Sequence, residues 1–259
     1  MKKGIIVASF GTTHEETRKL CIESIENRVR REHKDSMVLR TFTSQIIIDR
    51  LKKRENYPIY NLTQALEKMK DQRIHKVYIQ PLYILPGKEY KKLAKQAREF
   101  SKENTHINVQ ISKPLLVDHE DFDKVVEGLS FVREKTEEGI LFMAHGSDFV
   151  TDKSYEVLEN RFKEKGHKNI FIATLKGKKT VDHIIPLLKN QDIKKVQLMP
   201  FMLVAGRHAI RDMISGENSW KGKLLSAGIK VEESLKGLGE IEGIQDIYMS
   251  HLREIICSY

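Results

Sequence analysis

Short apolar segments alternate with amphipathic segments along this chain, and the order of the first half returns in the second. "IIVASFGTT" at 5–13 aligns with "ILFMAHGSD" at 140–148, and the spacing between them is 135 residues, from 5 to 140. "KVYIQPLYILPGKEY" at 76–90 aligns with "KVQLMPFMLVAGRHA" at 195–209, 119 residues apart, with a proline and a glycine in register. We interpret this as a duplicated α/β unit, because each copy must bury the same apolar faces.

The apolar segments predict strands and the segments between them predict helices. Leu20, Cys21, Ile25 and Val29, for example, follow one another at helical spacing. About eight strands are predicted, four in each half: 4–9, 38–42, 76–82, 107–111, 139–145, 169–175, 195–201 and 229–235. Nearly continuous apolar strands between helices are typical of a parallel sheet covered on both faces. We therefore predict an α/β fold of two similar domains, each a mainly parallel four-stranded sheet flanked by helices.

The boundary between the two domains is predicted between residues 128 and 138, which gives domains at 1–130 and 131–259. The apolar runs are shorter than the ~20 residues of a membrane span. The N-terminal stretch lacks the cleavage site of a signal peptide. Two cysteines far apart, Cys21 and Cys257, form no metal-binding pattern and favour a reduced, cytoplasmic protein.

The chain is basic, with a formal net charge of +9. A positive balance suits a nucleic acid, an anionic membrane surface or a small polycarboxylate. The lysines are spread through every segment, and the sequence contains no recognition-helix motif, zinc finger or aromatic RNP-like strand. We therefore expect no nucleic acid and no membrane partner, whereas a polycarboxylate ligand remains open.

The residues after the strands are the candidates for a site, because ligands of open α/β sheets bind beyond the carboxyl ends of the strands. The two alignments place Phe10 opposite His145 and Glu89 opposite His208. If the two halves face each other, both histidines and the glutamate can converge. Two imidazoles and a carboxylate suit a divalent metal such as Co²⁺, Fe²⁺, Ni²⁺ or Zn²⁺. The alternative is three unrelated polar loop residues, since neither His-Gly-Ser nor Gly-Arg-His is a specific motif.

Two other motifs point to weaker hypotheses. "SFGTT" at 9–13 and "HGSD" at 145–148 are glycine loops before helices, which can hold an anion through backbone N–H groups. Both lack the second glycine and the lysine of a P-loop. Ser147 beside His145 is compatible with a hydrolase, but the Gly-x-Ser-x-Gly elbow is missing.

Longer motifs carry a resemblance to a known family. These are "KKGIIVASFGTT", "FTSQIII", "GKEY", "FMAHGS", "LMPFMLVAGRHAIRDM", "SWK" and "GLGE". Together they resemble the sirohydrochlorin cobalt chelatases of the anaerobic cobalamin pathway, the CbiK type, within the class II chelatases that include ferrochelatase. The resemblance runs from the first strand to about residue 240, and "LMPFMLVAG-x-HAI-x-DM" is its most specific part.

The resemblance implies two chelatase domains with a central cleft for a tetrapyrrole, and a last helix, about 241–257, that packs on the first domain. His145 and His208 match the family's metal-site histidines, and Glu89 matches its cleft glutamate, so all three are expected to be catalytic. The implied substrate is an octacarboxylate, which gives the basic charge a target. The implied reaction needs no nucleotide and no organic cofactor; the divalent metal, Co²⁺ with Fe²⁺ or Ni²⁺ open, is itself a substrate. Substrate contacts are expected at Phe10, Gly11, Thr12, Ser147, Lys176 and Arg207.

Two positions depart from the family pattern. Lys176 stands where the family usually has a metal-ligating glutamate, and Arg207 stands where it often has aspartate before the histidine. An ammonium group cannot ligate a metal, so the departures leave open a relative specific for iron or nickel. They also leave open a tetrapyrrole- or haem-binding protein without chelatase activity, with His145 or His208 as an axial ligand. A two-lobed solute receptor of the periplasmic type and a homo-oligomer also remain open.

Overall fold

The computed structural model describes residues 3–55, 59–129, 131, 138–146, 149–206 and 209–258. The chain folds into two compact units. The first contains residues 1–117 together with 244–259, and the second contains residues 118–243. Each unit holds one sheet of four strands.

The first unit is built on a parallel sheet in the order β2-β1-β3-β4. Its strands are β1 (Lys3–Ser9), β2 (Ser36–Phe42), β3 (Lys76–Pro81) and β4 (Asn108–Ile111). Its helices are α1 (Glu15–Thr17), α2 (Ser24–Glu32), α3 (Gln45–Glu55), α4 (Leu62–Asp71) and α5 (Lys88–Glu103), and a π-helix, Arg18–Glu23, joins α1 to α2.

The second unit repeats this plan, with a parallel sheet in the order β6-β5-β7-β8. Its strands are β5 (Gly139–Ala144), β6 (Ile170–Thr174), β7 (Lys195–Phe201) and β8 (Lys230–Glu233). Its helices are α6 (His119–Gly128), α7 (Phe149–Glu164), α8 (Val181–Asn190) and α9 (Trp220–Ser226), with a π-helix at Ala209–Ile214. The predicted fold of two similar α/β domains with parallel four-stranded sheets is confirmed.

The central strand of each sheet is buried on both faces, which explains its unbroken run of apolar residues. In β1, Ile6 and Ala8 pack with α4 and α5, while Ile5 and Val7 on the opposite face are also at most 1% exposed. All six residues of β5 are buried. The edge strand β8 is mostly exposed and reads Lys-Val-Glu-Glu, because it has a neighbour on one side only.

The duplication extends to single hydrogen bonds at the strand ends. The N–H of Ser44 donates to the carbonyl of Phe10 at 3.3 Å, and the N–H of Lys176 donates to the carbonyl of His145 at 3.1 Å. A second pair of bonds recurs after the third strand of each unit: Gly87 N to Leu85 O at 2.8 Å, and Gly206 N to Val204 O at 3.0 Å. The two alignments found in the sequence therefore correspond to equivalent turns.

Helix α6 groups with the second unit, so the units meet in the chain at 117/118, whereas the sequence analysis set the boundary at 130/131. The reason is its contact with α7. Arg161 on α7 pairs with Asp123 at 3.1 Å, and Lys165 just after α7 pairs with Glu127 at 2.8 Å. An amphipathic pattern shows that a helix covers a sheet, but it does not show which sheet.

The last helix, α10 (Glu242–Cys257), lies almost entirely in the first unit. The hydroxyl of Tyr248, which is fully buried, donates to the carbonyl of Tyr83 at 3.1 Å. Arg253 forms two bonds to Glu32 on α2, each of 3.0 Å. Within the described ranges, none of the helices has the length and apolar character needed to cross a membrane.

Candidate active site

His145 follows the last residue of the central strand β5 and is half-buried. Its Nδ1 lies 2.7 Å from the carbonyl oxygen of Gly146. Because a carbonyl oxygen can only accept, Nδ1 must carry the hydrogen, and the neutral ring then holds its lone pair on Nε2. A histidine fixed in this tautomer by a carbonyl is suited to bind a metal ion through Nε2.

A glycine follows the strand-end residue in both units, and the backbone requires it. Gly11 has φ +91° and Gly146 has φ +65°, a backbone region that residues other than glycine rarely adopt. A Cβ on Gly11 would lie 2.6 Å from the ring of Phe42, and one on Gly146 would lie 2.7 Å from Cβ of Thr174. The tight turn therefore presents the preceding residue, Phe10 or His145, at the carboxyl edge of the sheet.

Phe10 is 51% exposed although it is a large apolar residue. Thr12, two residues further on, is only 6% exposed, and its hydroxyl accepts a bond from the N–H of His14 at 3.2 Å. An exposed aromatic ring at a strand end is available to stack on a flat ligand. The Thr12 hydroxyl also helps to shape the turn.

Lys176 lies in the loop after β6, beside His145, and its side chain is exposed. Two buried acids of α7 hold this loop. Asp152 accepts from the N–H of Lys178 at 2.8 Å, and Glu159 accepts from Lys179 Nζ at 2.5 Å. The backbone at Lys176 is thus fixed, and the residue lines a cavity of about 460 Å³ in the second unit.

Glu89 lies in the first turn of α5, two residues after the helix N-cap Gly87, and is half-buried. It is close enough to Tyr83 for its charge to affect the pKa of that phenol. Burial raises the pKa of Tyr83, a hydrogen bond with Thr43 at 2.9 Å lowers it, and the negative charge of Glu89 raises it again. Tyr83 therefore stays protonated, as a neutral hydrogen-bonding group near the carboxylate.

His208, Arg207 and Ser147 lie outside the described residues. Across the ranges that the structure describes, no three His, Cys, Asp or Glu side chains gather as a metal site. Glu89 belongs to the first unit and His145 to the second. The convergence of the two histidines and Glu89 on one metal remains a prediction.

Asp152 and Glu159, which are 9% and 4% exposed, were not predicted from the sequence as site residues. Their spacing of seven residues is a signal that could have identified them, since it places both on one face of α7 two turns apart. Acids on the apolar face of a helix must find partners, because a buried charge without them is unstable.

Two solved structures with a similar fold are those of chelatases. SirB from Bacillus subtilis with Fe³⁺ superposes with a TM-score of 0.68 and 13% identity, covering 98% of this chain and 95% of that chain. The sirohydrochlorin chelatase SirB from Bacillus subtilis subspecies spizizenii in complex with cobalt gives a TM-score of 0.65 and 10% identity, with the same coverage. At these identities the likeness concerns the fold alone. The fold is that of a two-unit chelatase, with His145 at a central strand end.

The family model named "Cobalt chelatase (CbiK)" matches residues 3–257. The sirohydrochlorin cobaltochelatase of Salmonella typhimurium is 32% identical over 264 residues, which cover 99% of this chain and 97% of that protein. The sirohydrochlorin cobaltochelatase CbiKC of Nitratidesulfovibrio vulgaris is 32% identical over 259 residues, covering 97% and 89%. The chain belongs to the CbiK family of cobalt chelatases, as its motifs predicted.

Proposed function

We propose that this protein is a sirohydrochlorin cobaltochelatase of cobalamin biosynthesis. It inserts a divalent metal, cobalt foremost, into a tetrapyrrole of the sirohydrochlorin type without ATP. The observation that carries the proposal is the family match over residues 3–257. The metal is a substrate, and Fe²⁺ and Ni²⁺ are the other candidates. Cys21 and Cys257 are both thiols, which supports the cytoplasmic location included in the proposal.

The reaction has two chemical requirements. Water must be removed from the metal ion, and two pyrrole N–H protons must leave the macrocycle. An imidazole with an ordinary pKa of about 6.5 binds such ions exchangeably and accepts a proton near neutral pH. In the proposal, His145 and His208 bind the metal through ring nitrogens, and Glu89 takes up a released proton or attracts the incoming cation.

The proposed substrate contacts are at the strand ends. Phe10, with its exposed ring, is positioned to pack on the flat macrocycle. In the proposal, the cationic side chains of Lys176 and Arg207 pair with carboxylates at the edge of the macrocycle. Gly11, Thr12 and Ser147, from the two aligned sequence segments, complete the proposed set.

The test is metal insertion followed in the visible spectrum. Purified protein is mixed with metal-free sirohydrochlorin and Co²⁺, and the conversion rate is measured for the unchanged protein and for His145→Ala and His208→Ala. Each variant should lose at least about 100-fold in rate, the scale of a lost proton acceptor. His119→Ala, an exposed histidine at the start of α6, is the matched control and should retain full rate. Equal rates in all four proteins would exclude these histidines from the reaction.

A tetrapyrrole-binding protein without chelatase activity is a second candidate, and Lys176 favours it. This lysine stands beside His145 where a metal-ligating carboxylate was expected. The same experiment separates the two functions. A spectral change on mixing with the tetrapyrrole that is indifferent to Co²⁺ identifies a binding protein, and appearance of the metallated spectrum identifies the enzyme.

A further inference from the structure

A cavity of about 460 Å³ lies within the second unit, between the loop after β6, the π-helix Ala209–Ile214 and the start of α9. Among the residues that the structure describes, three with cationic side chains line it, Lys176, Arg211 and Lys223, against one with a carboxylate, Asp212. We propose that this cavity is a carboxylate-binding site that holds the acidic side chains at one edge of the tetrapyrrole. The inference rests on the proposed function and adds Arg211 and Lys223, two residues to which the sequence predictions gave no role.

The cation of Lys223 can exchange its present partner for a ligand. Its Nζ lies 2.7 Å from a carboxylate oxygen of Asp182, which does not line the cavity, and the two side chains are 38% and 57% exposed. Ion pairs this exposed contribute at most about 1 kcal/mol. A carboxylate inside the cavity can therefore replace Asp182 at little cost.

The guanidinium of Arg211 retains donors for a ligand as well. Its Nε and one terminal nitrogen contact the two oxygens of Asp212, at 2.5 and 3.1 Å, and the side chain is 66% exposed. A guanidinium has five N–H donors in a planar fork, so Asp212 occupies one edge and leaves another. That edge matches a second carboxylate in a bidentate arrangement.

The remaining walls favour an organic acid over a bare inorganic anion. Trp220 lines the cavity and is 5% exposed, so it provides an apolar surface behind the cations. Asn218 and Ser215, both exposed, add polar groups to the lining. A volume of about 460 Å³ lies within the range of small-molecule pockets and exceeds the need of a single small anion. A ring that carries carboxylate side chains fits both the size and the lining.

The cavity adjoins His145 through Lys176. The N–H of Lys176 donates to the carbonyl of His145 at 3.1 Å, so one residue of the cavity wall is bonded directly to the strand end that carries the histidine. Asp152 and Glu159 hold the rest of the loop. A macrocycle whose acidic edge enters the cavity is therefore placed with its adjoining part beside the imidazole, which orients it for the metal.

The test measures binding of metal-free sirohydrochlorin to the unchanged protein and to Arg211→Gln and Lys223→Gln, by quenching of Trp220, the one tryptophan of the sequence. Each variant should bind about tenfold more weakly, the scale of one lost charge-assisted hydrogen bond. Lys221→Gln is the matched control: it removes one charge from the same helix, at a lysine that pairs with Glu233 and does not line the cavity. Its affinity should change by less than about twofold.

Two further measurements distinguish a carboxylate site from a general effect of charge or folding. The octamethyl ester of the same tetrapyrrole should bind equally to all four proteins, because it lacks the carboxylates. Asp212→Asn should bind the acid more tightly than the unchanged protein, since it removes the like charge from the wall. Unchanged affinity of Arg211→Gln and Lys223→Gln for the acid, or equal losses for acid and ester, would overturn the inference.

Failure of the inference and failure of the proposed function give different results. If the unchanged protein inserts cobalt but the two variants bind and react normally, the proposed chelatase function is supported and the assignment of the cavity is wrong. If the unchanged protein inserts no metal but the variants lose affinity for the acid and not for the ester, the cavity is a carboxylate site in a protein that binds the tetrapyrrole without metallating it. If the proposed function and the cavity assignment are both correct, the two variants should have a raised KM and an unchanged kcat. The reason is that the contact between the cavity and the carboxylates is equally strong in the ground state and in the transition state.

Discussion

The buried carboxylate of Glu159 supports a specific prediction about stability. Glu159 is 4% exposed and accepts three hydrogen bonds: from the N–H of Ile172 at 2.7 Å, from Lys163 Nζ at 2.7 Å and from Lys179 Nζ at 2.5 Å. These contacts join α7 to β6 and to the loop that carries Lys176. We predict that Glu159→Gln, which preserves the shape and the acceptor for Ile172, destabilises the second unit by about 2 kcal/mol.

The magnitude follows from the exposure of the two lysines. A hydrogen bond to a charged group contributes about 1.5–3 kcal/mol when its loss leaves a buried partner. Lys163 and Lys179 are 40% and 26% exposed, so both are rehydrated once the charge on Glu159 is gone. The combined loss is therefore nearer to one buried bond than to two. For a protein of this size it corresponds to a fall in Tm of about 4–8 °C.

The effect should depend on pH in a defined direction. Burial alone would raise the pKa of Glu159, but the hydrogen bonds from Lys163, Lys179 and the N–H of Ile172 outweigh it, so the pKa is lowered from 4.5. A carboxyl whose pKa is lowered by folding stabilises the protein above its unfolded pKa, and this contribution disappears as the pH falls through the folded pKa. The difference in the free energy of unfolding between the unchanged protein and Glu159→Gln should thus be largest at neutral pH and should decrease in acid.

The assay is urea unfolding followed by the fluorescence of Trp220, which lies in the same unit as Glu159. The midpoint should shift with little change in the slope against urea. Glu156→Gln is the matched control, since it removes an exposed carboxylate from the same helix. A shift of Glu159→Gln no larger than that of Glu156→Gln, or a gap that persists unchanged in acid, would refute the reasoning.

Three further predictions concern other parts of the chain. Arg40→Met should cost about 3–5 kcal/mol in urea unfolding, because it removes the cation that contacts both oxygens of fully buried Glu26 at 2.6 Å and leaves the carboxylate with the weaker, 3.5 Å contact of the more exposed Arg30; recovery by a second change, Glu26→Leu, would identify the poorly compensated buried charge as the cause. Gly11→Ala should cost about 2–4 kcal/mol, from its φ of +91° and the 2.6 Å approach to an aromatic ring. Gly87→Ala, where a Cβ meets nothing within 4 Å, should change stability by less than about 1 kcal/mol, and equal losses at both glycines would contradict the crowding argument. Lys176→Glu should strengthen Co²⁺ binding to the empty protein and weaken tetrapyrrole binding in calorimetric titrations; an unchanged Co²⁺ affinity would mean that this side chain does not act on the metal.

The strands could be predicted closely from the sequence, because a parallel strand buried on both faces must be apolar throughout. The predicted strand at 195–201 matches β7 residue for residue. The helix predicted from the spacing of Leu20, Cys21, Ile25 and Val29 is less regular than its pattern, since its first part, Arg18–Glu23, is a π-helix. Apolar spacing reports which face is buried and is insensitive to one extra residue in a turn. For the same reason the second π-helix, Ala209–Ile214, was not predicted.

The candidate site was predictable only in part. His145 could be placed at a strand end because the apolar run before it ends in His-Gly, and the structure has β5 end at Ala144. The acids that hold the neighbouring loop, Asp152 and Glu159, could not be found in this way. Their partners, the N–H groups of Lys178 and Ile172, are remote in sequence and become neighbours only when α7 packs on β6.

In the two duplicated turns, the glycine is required by the backbone, whereas the residue before it is free to differ between the units. After β1 and after β5 the same glycine turn is enforced by a positive φ and by crowding from the next strand, at Gly11 and Gly146. The residue before each glycine projects from the sheet edge and is exposed or half-buried, so packing does not dictate its type. One unit places a phenyl ring there, Phe10, and the other an imidazole, His145. A repeated fold can therefore present an apolar ring in one unit and an imidazole in the other by exchanging a single side chain at an unchanged turn.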